Sequence, residues 1–176
     1  MKKRYLASPI HTFCFDAHKI AMVSGPRQCG KTTLAKMLLA QRAAGGYHNW
    51  DERESRRLWA TTPSALVPSA AGGVVPLVVL DEIHKDRLWK RNLKGVFDTL
   101  TSPCDFLVTG SARLNVYRKG SDSLFGRHYH LCLHPFAVRE MERADGLTPQ
   151  AVPTATRTTQ PPTTSWRRLC SGNWRK

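Results

Sequence analysis

The stretch Gly25-Pro26-Arg27-Gln28-Cys29-Gly30-Lys31-Thr32-Thr33 lies between two segments of different period, and it constrains the chain more than any other feature. Before it, Lys19–Ser24 is a short, mostly apolar run that reads as a buried strand. Gly25-Pro26 closes that run with a turn signal. After it, Lys31–Arg42 carries Leu34, Met37, Leu38 and Gln41 at helical spacing. Strand, glycine-rich turn and helix form the setting in which G-x-x-x-x-G-K-[ST] binds phosphate. Glycines let the backbone curl so that its N–H groups point inward at phosphate oxygens. The helix that follows presents free N–H groups and the positive end of its dipole to an anion. In this reading Gly25 to Thr33 is the cradle, Lys31 is a point charge for the outer phosphates, and the Thr32 hydroxyl is a ligand for Mg²⁺. A glycine-rich turn that only caps a helix is the bland alternative, and the flanking strand and helix disfavour it.

The rest of the chain supports a nucleotide-binding sheet. Leu77-Val78-Val79-Leu80 is a continuous apolar run, the pattern of a strand covered on both faces. The run extends back to Val74, with Pro76 near its start, where a missing N–H is tolerated. Asp81 and Glu82 follow it, fifty residues after Lys31. An acid at the tip of a buried parallel strand lies where open α/β sheets bind ligands. Asp81 is therefore the expected Mg²⁺-holding acid, and Glu82 the carboxylate that polarises water for attack on a γ-phosphate. A small-molecule kinase would not need Glu82, and no segment supplies the lid for an acceptor substrate. Asp105–Thr109 is another buried strand, ending in Thr109-Gly110-Ser111. Thr109 or Ser111 could stand beside the γ-phosphate, although Gly and Ser are also ordinary at strand exits.

Further elements are a short strand at Tyr47–Trp50, after Gly45-Gly46 stops the preceding helix, and a helix at Glu52–Ala60. A loop or weak helix covers Thr61–Gly73, an amphipathic helix spans Leu88–Leu100, and the last strand is His128–Leu133. Strands alternating with helices predict an α/β fold with a mainly parallel central sheet.

Taken in order, several segments resemble one family. They are Gly-Pro-Arg-Gln-Cys-Gly-Lys-Thr-Thr-Leu, Leu-Asp-Glu-Ile-His-Lys, Val-Thr-Gly-Ser-Ala-Arg, Asp122-Ser123-Leu124-Phe125-Gly126-Arg127, Leu133-His134-Pro135-Phe136 and Glu140. Together they are similar to prokaryotic AAA-family ATPases, within the AAA+ superfamily, over about residues 1–145. The resemblance implies a P-loop NTPase three-layer sandwich of the additional-strand, AAA-like type, with Asp105–Thr109 inserted between the strands that precede Gly25 and Asp81. It implies ATP and Mg²⁺ as cofactors and Thr109 or Ser111 as the sensor. It also suggests that Arg127 reaches a phosphate in its own or a neighbouring subunit, which makes a homo-oligomer a candidate assembly; a plain surface arginine is the alternative.

Such proteins typically continue into a winged-helix-like segment and a C-terminal domain similar to restriction-type nucleases. Here periodicity is lost after about Gly146. Six threonines and three prolines fall between Ala151 and Ser165, and residues 151–176 hold no acidic residue. Residues 146–176 read as a disordered or aberrant tail, and a truncated or frameshifted product is the expectation.

Composition sets the remaining bounds. A formal net charge of +14 makes nucleic acid a candidate partner. No run of about eighteen apolar residues exists, so no spanning helix is expected. Basic Met1–Arg4 lacks the apolar segment of a signal peptide. Five widely spaced cysteines suggest reduced thiols and a cytoplasmic protein. His128, His130, Cys132 and His134 alternate as metal ligands can, but no second ligand group accompanies them, and the segment reads as a core strand. The two functions weighed are an ATPase whose turnover acts on a partner, and a nucleotide-dependent binding module that hydrolyses little.

Overall fold

A computed structural model of the chain describes residues 4–68, 73–111, 114, 124–136 and 140. Its centre is a five-stranded sheet of β1 (Ile20–Ser24), β2 (Gly45–Asn49), β3 (Leu77–Asp81), β4 (Asp105–Gly110) and β5 (His128–Cys132). The order is β2-β3-β4-β1-β5, and every pairing is parallel. β4 thus lies between β1 and β3, as the family resemblance implies.

Side-chain alternation along the strands builds the layers. Ala21, Val23, Leu77, Val79 and Leu107 face one side. There they meet Leu34, Ala35 and Leu38 of α2 (Lys31–Leu39) and an N-terminal segment. That segment is α1 (Ala7–Pro9) running into a π-helical turn, Ile10–Phe15. Ile20, Met22, Val78, Leu80, Phe106 and Val108 face the other side. They meet Trp59 of α3 (Arg53–Thr61), Leu66 of the 3₁₀ turn Pro63–Leu66, Ile83 of the 3₁₀ turn Ile83–Lys85, and Trp89, Leu93 and Val96 of α4 (Trp89–Asp98). The result is a three-layer sandwich. β1, β3 and β4 are buried along their whole length, which explains their unbroken apolar runs.

Several expectations are corrected. α2 ends at Leu39 rather than Arg42. Gly45-Gly46 do not merely stop that helix; they are the first residues of β2, where a Cβ on Gly45 would fall 2.3 Å from the Leu77 carbonyl oxygen. β3 starts at Leu77, leaving Pro76 just outside, its carbonyl accepting from the Asp105 N–H at 2.9 Å. β5 is an edge strand with Tyr129, His130 and Cys132 exposed, not a core strand. The N-terminal helical segment has no counterpart in the sequence reading, though Leu6, Ala7, Ile10, Cys14 and Phe15 are all buried. Pro9 closes α1, where it costs no intrahelical donor.

Cys14, Cys29, Cys104 and Cys132 are free thiols. Among the described residues no helix is long and apolar enough to cross a membrane, and no group of three or more His, Cys, Asp or Glu side chains is arranged to hold a metal. The tail expected at 146–176 lies outside the described residues.

Candidate nucleotide site

Parallel register brings the chemistry to one edge. Ser24 pairs with Gly110, and Asp81 pairs with Thr109. The C-terminal tips of β1, β3 and β4 therefore stand side by side, the position at which open α/β sheets bind ligands.

From the tip of β1 the chain curls through Gly25–Gly30 into α2. Gln28 and Gly30 adopt left-handed backbone conformations, with φ of +60° and +92°. Residues alternating into that region turn consecutive N–H groups to one side, the concavity that accepts anions. Gly30 caps α2, so the helix N-terminus opens onto the same place. Pro26, Arg27 and Gln28 are exposed, Cys29 is buried, and Thr32 and Thr33 face outward in the first turn. The Lys31 ammonium donates to the carbonyls of Gly25 (3.1 Å) and Pro26 (2.6 Å), which hold it over the loop.

Arg4 braces this loop from behind. It is only 3% exposed. Its Nη1 donates to the Cys29 carbonyl at 2.7 Å, its Nη2 to the His134 carbonyl at 2.6 Å, and its Nε to Glu140 Oε1 at 3.2 Å. Its guanidinium also lies 4.1 Å from the centre of the Phe136 ring. One side chain thus ties the loop to the segment after β5.

Asp81 is the hub of the site. It is 2% exposed, and three hydroxyls donate to its carboxylate. Thr32 Oγ1 reaches Oδ2 at 2.8 Å, the Tyr47 hydroxyl reaches Oδ2 at 2.6 Å, and Thr109 Oγ1 bonds Oδ1. These bonds keep a buried carboxylate satisfied. Burial, followed by the bond to Asp81, pushes the Tyr47 phenol well above its usual pKa. Thr32 Oγ1 and Asp81 Oδ2 are adjacent hard oxygens, the donor type that Mg²⁺ takes, so this pair fits the ion.

Glu82 follows with φ +59°, a left-handed conformation that costs a non-glycine residue about 1–2 kcal/mol. Its N–H is anchored on the Thr109 carbonyl at 3.0 Å. Its carboxylate Oε2 lies 3.8 Å from His84 Nε2 and 3.9 Å from Lys85 Nζ. Ser111 Oγ lies 3.2 Å from the same His84 nitrogen.

Arg127 is not brought to this edge. It precedes β5, and its carbonyl accepts from Ile20 at the start of β1. Five residues of β1 separate that end from the loop, roughly 16 Å along the strand. Its guanidinium is engaged by Asp98, with Nε at 2.7 Å and Nη2 at 3.1 Å. A role on a phosphate held by its own subunit is therefore corrected: parallel register places it at the opposite end of the sheet.

The AAA domain family matches residues 17–142. This chain belongs to that family. No curated protein matches the chain in sequence. The AAA domain is similar to the Walker-type ATPase of Pyrococcus abyssi, with TM-score 0.54 and 16% identity over 84% of this chain and 60% of that one. That likeness supports the P-loop ATPase fold. The ORC1 protein of Aeropyrum pernix, solved in complex with DNA, is similar with TM-score 0.49 and 15% identity over 73% of this chain and 43% of that one. The chain spans less than two thirds of the length of either.

Three residues of the AAA domain site have no role in the sequence reading: Arg4, Tyr47 and His84. Arg4 is separated from Glu140 by 136 residues, and no local pattern links them. Tyr47 meets Asp81 only because β2 lies beside β3. His84 stands inside the Leu-Asp-Glu-Ile-His-Lys segment, the one available signal.

Proposed function

We infer that this AAA domain is a Mg²⁺-dependent ATP hydrolase. The observation that carries the reading is the convergence of Lys31, Thr32, Asp81, Glu82 and Thr109 on one sheet edge, around a loop shaped for phosphate. Gly25 to Thr33 bind the phosphates through backbone N–H groups, and Lys31 turns its ammonium from its own loop carbonyls to the β- and γ-phosphates. Thr32 and Asp81 would hold Mg²⁺, which would neutralise charge on the phosphate oxygens. Glu82 orients and polarises the attacking water, taking its proton. Thr109 holds Asp81 in place, and Ser111, whose oxygen lies beside His84, is the hydroxyl that senses the γ-phosphate. Arg127, at the far end of its own sheet, is left to act across a contact with a second copy.

We assign the partner of this turnover to nucleic acid, in the cytoplasm. The net charge of +14 supports this reading. So does the placement of exposed Arg53, Arg56 and Arg57 on α3, and of exposed Arg87 and Arg91 at α4, in the same helical layer.

The test is Mg²⁺-ATP turnover by the purified chain beside Glu82→Gln, with binding followed in both, with and without duplex DNA. Turnover in the wild type, lost in a variant that still binds, supports hydrolysis; stimulation by DNA supports the partner. Binding without turnover in either protein would replace this reading with a nucleotide-dependent binding module.

A further inference from the structure

His84 occupies a position that the activity just described leaves unexplained. It belongs to the 3₁₀ turn Ile83–Lys85, directly after Glu82. Its side chain is 12% exposed. Nε2 lies 3.2 Å from Ser111 Oγ and 3.8 Å from Glu82 Oε2. Nδ1 is enclosed and has no hydrogen-bond partner among the described residues. The ring packs close against Gly110, where a Cβ would come within 2.7 Å of both Nδ1 and the Leu114 side chain. The Thr109-Gly110-Ser111 sequence therefore has three separate duties: Thr109 bonds Asp81, Gly110 leaves room for the imidazole, and Ser111 bonds it.

We propose that His84 is a positioning residue that links the phosphate-sensing hydroxyl of Ser111 to the water-polarising carboxylate of Glu82 through a single shared Nε2–H. The proposal rests on the ATPase reading and deepens it. An enclosed N–H without an acceptor is costlier than an enclosed lone pair, so the ring keeps its hydrogen on Nε2 and leaves Nδ1 bare. Burial, aided by Lys85 and Lys31 and opposed by Glu82 and Asp81, holds the imidazole below its usual pKa and hence neutral near pH 7. A neutral ring with Nε2–H has one hydrogen to donate and two acceptors beside it.

In the present geometry Ser111 takes that hydrogen, and Glu82 stands just beyond bonding distance. Ser111 Oγ, as acceptor, keeps its own hydrogen available for a γ-phosphate oxygen. When Ser111 moves toward a γ-phosphate, the Nε2–H is left to Glu82, and a charge-assisted bond fixes the carboxylate. No proton changes owner in this exchange; one hydrogen bond replaces another. With a diphosphate bound, Ser111 has no γ-phosphate to follow, and His84 stays with it. Glu82 is thereby held in place only when there is a phosphate to cleave.

The experiment follows the His84 ring by ¹⁵N–¹H NMR in the full chain. The signal is assigned by its loss in His84→Gln, and binding is confirmed by calorimetry. We expect the Nε2–H proton to move downfield with Mg²⁺ and a non-hydrolysable ATP analogue, relative to Mg²⁺-ADP. In Ser111→Ala the two nucleotides should give the same ring signal. In turnover, His84→Ala should lower kcat by about 10–100-fold, the usual effect of losing a residue that orients a site group, with ATP affinity retained. Identical wild-type ring signals with both nucleotides bound, or a difference that survives Ser111→Ala, overturn the link while leaving the ATPase reading intact. Failure of either nucleotide to bind removes both.

Discussion

Replacing Arg4 by Met should cost this domain far more than a residue so near the chain start suggests. Arg4 and Glu140 side chains are 3% and 7% exposed, and their ion pair spans 3.2 Å. An exposed pair would be worth about 0–1 kcal/mol. Removing one member of a buried pair costs about 3–5 kcal/mol, because the other charge stays in a poorly solvated place. Glu140 also accepts from the Tyr5 N–H at 2.8 Å, so it cannot simply turn to water. The Cys29 and His134 carbonyls lose their donor in the same step. Against a total stability of about 5–15 kcal/mol, the loss is large. It corresponds to a drop in Tm of roughly 6–20 °C, at about 2–4 °C per kcal/mol for a domain of this size. Urea and thermal unfolding followed by circular dichroism read it directly. The Arg4→Met/Glu140→Met double variant should recover part of the loss, since removing both charges leaves none stranded. A loss below about 1 kcal/mol in Arg4→Met would refute the argument, because it would make the pair equivalent to a surface contact.

Other outcomes follow from the same geometry. Tyr47→Phe removes a hydroxyl that donates to buried Asp81 and should destabilise the chain by about 1.5–3 kcal/mol, the range for bonds to charged groups; an unchanged urea midpoint contradicts this. Asp81→Asn should make ATP affinity indifferent to Mg²⁺, and calorimetry that still shows full Mg²⁺ dependence contradicts the assignment of the ion to Thr32 and Asp81. Burial lowers the pKa of both His48 and His84 from the ordinary 6.5. The unfolded chain then takes up these protons near that value, while the folded chain takes them only further down. Unfolding binds protons in that window, so stability should fall as pH drops below 6.5. Urea midpoints at about pH 7.5 and about pH 5.5 test the sign, and a midpoint unchanged or higher at the lower pH contradicts it.

Much of the fold is legible because its signals are local. The three central strands are buried throughout and apolar except near their ends, and a strand buried on both faces can carry no alternation toward water. Lys31, Asp81, Glu82 and Thr109 stand out because each lies at or shortly beyond the C-terminal end of such a strand, so parallel pairing carries all of them to one edge. The edge strands are less legible. β2 opens with two glycines that read as a helix stop, and its need for Gly45 is set by the Leu77 carbonyl, a neighbour distant in sequence. Arg127 misleads because its local sequence places it just before a strand but is silent on the direction of that strand in the sheet; parallel pairing with β1, beside Ile20, decides that. Arg4 and Tyr47 are invisible for a related reason. Their partners, Glu140 and Asp81, lie 136 and 34 residues away, and only the folded chain brings them together. His84 falls between these cases. It stands in a segment already marked as functional, but its role depends on a ring packed close against Gly110, which no spacing rule reports.

The central claim is that the Gly25–Thr33 loop binds a nucleotide through Lys31 and the neighbouring N–H groups. Calorimetric titration of the purified chain with Mg²⁺-ATP, beside Lys31→Ala, tests it most directly. One site per chain is expected, competed by ADP and weakened by about 10–150-fold in Lys31→Ala, the equivalent of the 1.5–3 kcal/mol carried by a charged hydrogen bond. Absence of binding, or binding that Lys31→Ala leaves unchanged, would contradict the account.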